Sequence, residues 1–246
     1  MTTDFSLTRA MFDLPEGVIY LDSNSLGPLP LAVKERMGRV VGEEWGGMLI
    51  RGWNEAGWME QPRRVGDRIA GLIGAEPGSV VMGDTLWIKV YQALASAFEM
   101  NPCRRVVLSD NGNFPSDLYI AQGLVRTLGQ GYELRIADPE AVLDAIGETV
   151  AAILITEVDC RTGRRHDMKA LTARAHEKGA LAIWNLAHSA GALPLHVAAE
   201  GADFAVGFTP LYLSHDDVNR AVDILARIME ERRWDRPEFE ARARVT

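Results

Sequence analysis

From Ser79 onward the chain alternates short apolar runs with longer segments in which apolar residues recur at helical spacing. The short runs predict strands at 79–83, 105–109, 132–136, 151–157, 181–185 and 203–207. The longer segments predict helices at 86–99, 115–128, 139–147, 167–178 and 189–199. Strands that alternate with helices form a mostly parallel sheet with helices on both faces, so we predict a three-layer α/β fold.

The flanking segments follow other patterns. They predict a short strand at 18–21 and helices at 31–45, 61–74 and 216–234, the last of them amphipathic. A stretch rich in tryptophan and glycine lies between the first two of these helices. We expect Trp45, Trp53 and Trp58 to be packing residues rather than ligand contacts, because large aromatic side chains dominate burial.

Polar residues follow four of the predicted strands, at 83–85, 111–117, 156–162 and 185–188. Ligands of parallel sheets bind at the carboxyl ends of strands, so these loops are the candidate site. The first loop either holds a phosphate at a helix N-terminus or is an ordinary helix cap. The second presents an aromatic ring and a carboxylate, or is a helix start with Pro115 in the first turn. His188 either contacts a ligand or is a structural hydrogen-bond donor.

Composition narrows the classes of function. The chain has 246 residues, of which 47% are hydrophobic, and this is enough to bury the core of one α/β domain. Its net charge of −8 argues against nucleic acid, so we expect a small-molecule substrate. Cys103 and Cys160 lack CxxC spacing, and no signal-peptide or membrane-span pattern occurs, so we expect a cytoplasmic protein without a membrane partner. The histidines show neither HExxH spacing nor cysteine partners, so no metal is expected.

Seven motifs resemble those of kynureninase, a pyridoxal-phosphate hydrolase of the fold-type I aminotransferase superfamily. In chain order they are YLDSNSLGPLP (20–30), EEWGGMLIRGWNEAGW (43–58), GDT (83–85), NFPSDLYIAQGL (113–124), TEVDCRTGRRHDM (156–168), WNLAHSAGALP (184–194) and GADFAVG (201–207). The resemblance implies the large-domain fold of that superfamily, in an incomplete form. It also implies pyridoxal 5'-phosphate as cofactor, a homodimer, and hydrolysis of L-kynurenine or 3-hydroxykynurenine, which for L-kynurenine yields anthranilate and L-alanine in tryptophan catabolism and NAD biosynthesis.

The same resemblance assigns roles to individual residues. Thr85 and Leu86 are expected against the cofactor phosphate, and Phe114 is expected to stack on the pyridine ring. The ring and its substituents are expected to lie near four further residues, Asp117, Thr156, Asn185 and His188. Ser25, in the NSLG loop, is expected to face the substrate.

Three departures from the family pattern concern catalysis. In the family, GADFAVG continues as C-T-Y-K-Y-L-N-G-G, whose lysine forms the Schiff base with the cofactor. Here it continues as FTPLY (208–212), which resembles the family's C-terminal R-F-G-F-T-P-L-Y segment. The position aligned with the arginine of that segment, which grips the substrate carboxylate, is Ala205, and Asn185 stands where the family has an aspartate. A block on the order of a domain in size is therefore missing, with the joint at Gly207.

These departures predict two domains and little or no catalytic activity. We expect an N-terminal arm and partial large domain at 1–207, and the end of the family's small domain at 208–246. No residue is assigned as catalytic, because the Schiff-base lysine is missing, and we expect little or no hydrolysis of kynurenine. One alternative is a pseudoenzyme that binds pyridoxal phosphate or a similar phosphate weakly. The other is a remnant, or a chain that pairs with an intact homologue through the family's dimer surface, with exposed apolar surface that favours association.

Overall fold

The computed structural model describes residues 6–129, 131–207, 215–233 and 235. The chain divides into two compact units, one of residues 41–210 and one of residues 1–40 with 211–246. The elements in chain order are α1 (Ser6–Arg9), β1 (Phe12–Asp13), β2 (Leu29–Pro30), α2 (Leu31–Arg39), a π-helix (Val40–Met48), a 3-10 helix (Leu49–Arg51), α3 (Gly52–Glu55), α4 (Gln61–Ile73), α5 (Leu86–Met100), β3 (Val106–Asp110), α6 (Pro115–Leu128), β4 (Glu133–Ala137), α7 (Val142–Ala145), β5 (Val150–Thr156), α8 (Met168–Glu177), β6 (Leu181–Asn185), β7 (Phe204–Val206) and α9 (His215–Glu230).

The larger unit is built on a parallel sheet with the strand order β4-β3-β5-β6-β7. Every residue of the central strand β5 is buried. Its sequence, VAAILIT, is almost continuously apolar, as expected of a parallel strand covered on both faces. The register of β5 on β6 places Thr156 opposite Asn185, so two polar strand ends lie side by side.

Helices cover both faces of the sheet. On one face, α4 and α8 pack on it through a cluster that includes Ile73, Leu171 and Trp184. On the other face, α5 and α6 pack on it through a second cluster that includes Leu94 and Leu124. The predicted α/β architecture, three layers around a parallel sheet, is confirmed.

The predicted strand at 79–83 is wrong. This segment packs on α4 instead: the N–H of Met82 donates to the carbonyl of Pro62 at 3.0 Å. The approach is so close that a Cβ on Gly66 would lie 2.0 Å from the carbonyl oxygen of Val80. In the described part of the chain the sheet ends at β7, which pairs only with β6. A strand needs a neighbouring strand to bond, and none of the described strands pairs with segment 79–83.

Three further elements differ from prediction. Residues 189–199 form turns rather than a helix, because this stretch is tied to the end of α4 by the Val197 N–H, which donates to the Ile73 carbonyl at 3.0 Å. The helix predicted at 139–147 shortens to α7. No strand forms at 18–21, and the N-terminal strand pair is instead β1 with β2.

The prediction that the tryptophans pack is wrong for Trp45 and holds in part for Trp53, whose ring lies edge to face on Trp58 with centroids 6.3 Å apart. The side chains of Trp45 and Trp53 are 64% and 48% exposed. Trp58 is half-buried, and its indole N–H donates to Glu44 Oε2 at 2.8 Å. Large apolar groups at 45–53 therefore form surface rather than core.

The smaller unit pairs β1 with β2 in antiparallel register and carries an ion pair between Asp13 and Lys34. In α9 the predicted amphipathic face is present, and its side chains at Val222, Leu225 and Met229 are more than half exposed. The string 208–212 and residue 234 lie outside the described residues. Within the described ranges, no helix is both long and apolar enough to cross a membrane.

Candidate functional site

The carboxyl ends of β3, β5 and β6 bring together five of the residues predicted to bind a cofactor. Asn185, the last residue of β6, donates through Nδ2 to Asp117 Oδ2 at 2.6 Å, although the two are far apart in sequence. The rings of Phe114 and His188 lie edge to face with centroids 5.9 Å apart. Thr156 lies opposite Asn185 in the sheet.

Both ends of the Asn185 amide are bonded within the protein. Its nitrogen bonds Asp117, and its oxygen accepts from the backbone N–H of Ala187 at 2.8 Å. The two bonds fix the orientation of the amide, because only the oxygen can accept and only the nitrogen can donate. Asn185 therefore positions Asp117, and its own oxygen is directed at the Ala187 backbone.

Asp117 is the buried acid of the site. Its side chain lies in the first turn of α6 and is fully buried, and its Oδ1 has no hydrogen-bond partner among the described residues. Burial raises the pKa of Asp117, because desolvation disfavours the carboxylate, and the Asn185 amide and the charge of His188 oppose the shift only in part. An unpaired buried carboxyl oxygen can hold a proton or accept one from a ligand.

His188 and Phe114 form one wall of the site. His188 Nδ1 lies 2.9 Å from the carbonyl oxygen of Val158. A carbonyl can only accept, so Nδ1 carries the hydrogen of this contact, and Nε2 takes no part in it. The Phe114 side chain is 39% exposed, so part of its ring is available for stacking.

A buried hydrogen-bond network behind Phe114 was missed from the sequence. Thr156 donates through its hydroxyl to Asn113 Oδ1, which also accepts from the Phe114 N–H at 2.7 Å. Asn113 Nδ2 donates to Ser109 Oγ and to the Leu154 carbonyl, each at 3.0 Å. Asn113 thus fixes the backbone of Phe114, the residue before α6, and ties β3 to β5. Its position before Phe-Pro was the only signal in the sequence.

A second missed network fixes the loops behind the site. His166 Nε2 lies 2.6 Å from Asp110 Oδ2, and Arg164 bonds Glu140 and His166. Arg161 donates to the Asn111 carbonyl at 2.7 Å, which joins the loop after β5 to the loop after β3.

Asp159 belongs to the same loops. Its partial burial would raise its pKa, but hydrogen bonds from Arg161 and Thr162, together with the Arg161 charge, outweigh that effect and lower the pKa of Asp159. The loops are thereby held by paired charges, and the RTGRRHD run supplies most of these groups.

Thr85 and Leu86 stand at the N-terminus of α5, as expected for a phosphate site. Thr85 is the N-cap, and its side chain makes no capping hydrogen bond. The first N–H groups of a 15-residue helix therefore have no side-chain cap. Ser25 belongs to the smaller unit, where it is exposed and its hydroxyl donates to Asp22 Oδ1 at 2.7 Å.

None of the four lysines of the chain stands at the position expected from the family pattern. Lys89 lies in α5, where it pairs with Asp84 at 3.6 Å and bonds Gln92. Lys169 and Lys178 lie in or next to α8, and Lys34 lies in α2. The described residues contain no group of three or more His, Cys, Asp or Glu side chains able to hold a metal ion.

Solved structures identify the class of fold. An Escherichia coli cysteine desulfurase, CsdA, superposes with a TM-score of 0.64 at 16% identity, over 83% of this chain and 54% of that one. A C-DES mutant with glycine covalently linked to its PLP cofactor gives 0.65 at 16% identity, over 81% of this chain and 54% of that one. The fold is that of the fold-type I pyridoxal-phosphate-dependent enzymes.

The sequence relatives are more specific. A kynureninase of Pseudomonas fluorescens is 51% identical over 211 residues, which are 84% of this chain and 51% of that protein. One of Burkholderia pseudomallei strain 1106a is 50% identical over 211 residues, again 84% and 51%. No family model matches the chain. The resemblance to kynureninase is confirmed, so this chain is a relative of the kynureninases, and it spans about half the length of those it matches.

Proposed function

We propose that this chain binds pyridoxal phosphate without a covalent bond and hydrolyses L-kynurenine little or not at all. The observation that carries the proposal is the Asn185–Asp117 pair beside Phe114 and His188, in a chain whose lysines stand elsewhere. The binding half of the family site is present in these residues. The covalent half is missing.

The described residues fit the cofactor in three respects. The uncapped N-terminus of α5 offers N–H groups and a positive helix end to a phosphate. Phe114 offers an accessible ring face for stacking. Asp117 Oδ1, which has no hydrogen-bond partner among the described residues, can bond a polar group of the cofactor.

The residues also indicate which steps are lost. Pyridoxal phosphate, when bound, supplies an electron sink for electrons released at the substrate α-carbon. His188 Nε2, which takes no part in the bond to Val158, can bond a ligand, and Asp117 can hold a proton at Oδ1. The family moves the α-proton with its lysine and grips the substrate carboxylate with an arginine, whereas this chain has Phe208 after Gly207 and Ala205 at the arginine position.

The proposal also covers the domain division of the chain, its self-association and its cellular location. By likeness to the family we propose a partial large domain at 1–207 and the end of a small domain at 208–246, although residues 1–40 belong to the same compact unit as 211–246. The likeness of the string after Gly207 to the family's C-terminal segment supports this division. Self-association as a homodimer is supported by exposed Trp45, Ile50 and Trp53 in the larger unit. A reducing cytoplasm suits the free thiols of Cys103 and Cys160.

Cofactor binding is tested by equilibrium dialysis of the purified chain against pyridoxal phosphate, followed by borohydride reduction and mass spectrometry. We expect saturable binding that is lost on exhaustive dialysis, and no cofactor fixed to one particular lysine after reduction. Absence of saturable binding would remove the proposal. Stoichiometric fixation at one lysine would show that the chain has a covalent site after all.

A further inference from the structure

The sheet of the larger unit has an open edge at β7. The backbone carbonyl of Val206 accepts from the Leu186 N–H at 2.6 Å, so Val206 directs its backbone groups toward β6. Backbone groups alternate in direction along a strand, so the N–H and carbonyl of Ala205 face away from β6. Ala205 is exposed. An edge of this kind is a template for another strand.

Segment 79–83 forms the facing wall. Its sequence, SVVMG, has the composition of a strand but pairs with none in the described chain. The side chains of Val81 and Met82 are 60% and 45% exposed. Segment 79–83 and β7 line the same cleft, which has a volume of about 700 Å³ and also reaches the end of α4.

The volume of the cleft matches that of a short stretch of one β-strand. A residue in a sheet occupies about 3.3 Å along the strand, 4.8 Å across it and 10 Å between the packed layers, or roughly 160 Å³. The cleft volume of about 700 Å³ therefore corresponds to about four or five residues of a single strand. For comparison, β7, which lines the cleft, has three residues, and β6 beside it has five.

We propose that the cleft between β7 and segment 79–83 binds one extended segment of a second polypeptide, which carries the sequence that kynureninases have after the position of Gly207. Two observations favour this occupant. The chain spans about half the length of its relatives, and the sequence resemblance breaks at Gly207, the residue that follows β7. The inserted segment completes the sheet by bonding to the Ala205 backbone and burying Val81 and Met82.

A second copy of the chain is a poorer occupant. Its own β7 edge is flanked by its own segment 79–83 across the same cleft. Pairing two β7 edges would bring two such walls together. Cofactor binding does not enter this inference, so its failure would leave the proposed function standing.

The test uses the full chain and, as the probe, the remainder of the Pseudomonas fluorescens kynureninase after the residue that matches Gly207, co-produced as a separate polypeptide. Complex formation is measured by size-exclusion chromatography, and amide hydrogen exchange is measured by mass spectrometry. We expect a one-to-one complex and at least tenfold slower exchange in peptides covering 79–83 and 203–207.

Two variants make the test specific. Ala205→Pro removes the outward N–H, which takes no part in pairing with β6, and should weaken the complex at least tenfold, while Ala205→Ser keeps the N–H and should bind normally. Val81→Lys, at an exposed position on the facing wall, places a charge in the cleft and should also weaken binding at least tenfold. It serves as the second variant should Ala205→Pro fail to fold.

Several results would overturn the inference. They are the absence of a complex, a complex without protection at both walls, and normal binding by the folded Ala205→Pro or Val81→Lys chain. Protection of both walls in the isolated monomer would show that the chain fills its own cleft. Protection that appears only on self-association would assign the cleft to a second copy.

Discussion

Asn185 Nδ2 donates to Asp117 Oδ2 across 2.6 Å, and this bond joins the last residue of β6 to the first turn of α6. The family has an aspartate where this chain has Asn185. An aspartate there would place two carboxyls in contact, whereas the amide supplies a donor. With Asn185, the buried Asp117 carboxyl therefore receives a hydrogen bond from its neighbour, and Asp117 is the one acid of the pair.

Asn185→Asp tests this arrangement. Two carboxyls at hydrogen-bond distance cannot both ionise cheaply, so we expect a loss of about 2 kcal/mol at pH 7 without cofactor, and a fall in Tm of roughly 4–8 °C. Tm should recover toward that of the parent chain as the pH falls and the pair takes up a proton. With pyridoxal phosphate the variant should bind more tightly than the parent. A variant as stable as the parent at pH 7 and no better at binding would contradict the assignment of this pair.

Asp117→Asn tests the burial of the acid through pH dependence. Burial raises the pKa of Asp117 above its ordinary value of 3.8, so the carboxyl contributes stability that is present below that value and is lost as the pH rises through the folded-state pKa. The variant should therefore have a higher Tm than the parent at pH 7, by about 2–4 °C for each 1 kcal/mol gained. The gain should disappear below pH 3.8. Asp144→Asn, at an exposed position, is the control and should leave Tm unchanged.

Phe114→Ala tests the stacking wall. Its ring is partly exposed, so truncation should change stability little, while loss of stacking should weaken pyridoxal phosphate binding about tenfold, or about 1.4 kcal/mol. The dissociation constant is measured by fluorescence titration. Tyr119→Ala, in the same helix and 75% exposed, is the matched control. Equal affinity in the two variants would place the cofactor away from Phe114.

Thr172→Val tests the packing of α8 on the sheet. Trp184 is fully buried, and its indole N–H donates to Thr172 Oγ1 at 3.0 Å. Valine keeps the shape and removes the acceptor, so the buried N–H loses its partner at a cost of about 1–3 kcal/mol. Thermal unfolding should show a clear fall in Tm, whereas Lys169→Ala on the exposed side of α8 should show none. An unchanged Tm for Thr172→Val would mean that the bond contributes nothing.

The parts of the fold that the sequence predicts correctly are those set by local pattern. β5 is an uninterrupted apolar run, and a run of this kind between two helical segments suits a buried parallel strand. Segment 79–83 is also largely apolar, but it does not form a strand. A strand needs a neighbouring strand, and within the described residues β7 pairs only with β6. The helix predicted at 189–199 is absent for a related reason. Contact with α4, rather than local spacing, determines the conformation of this stretch.

The sequence predicts which loops form the candidate site, but it does not predict which side chains contact each other there. The rule that polar loops gather at strand ends, together with the family motifs, is enough to select Phe114, Asp117, Asn185 and His188. The bond from Asn185 to Asp117 depends on how α6 lies over β6, which no local pattern specifies. Asn113 was missed for the same reason: its role depends on Thr156 and Ser109, which belong to two different strands.

The most direct test of the account is anthranilate release from L-kynurenine by the purified chain, at a pyridoxal phosphate concentration at which dialysis shows the site to be filled. The Pseudomonas fluorescens kynureninase serves as the reference under the same conditions. We expect cofactor occupancy without anthranilate formation above the rate of the cofactor alone. Turnover near that of the reference enzyme would contradict the claim that the chain keeps the binding half of the site without its chemistry.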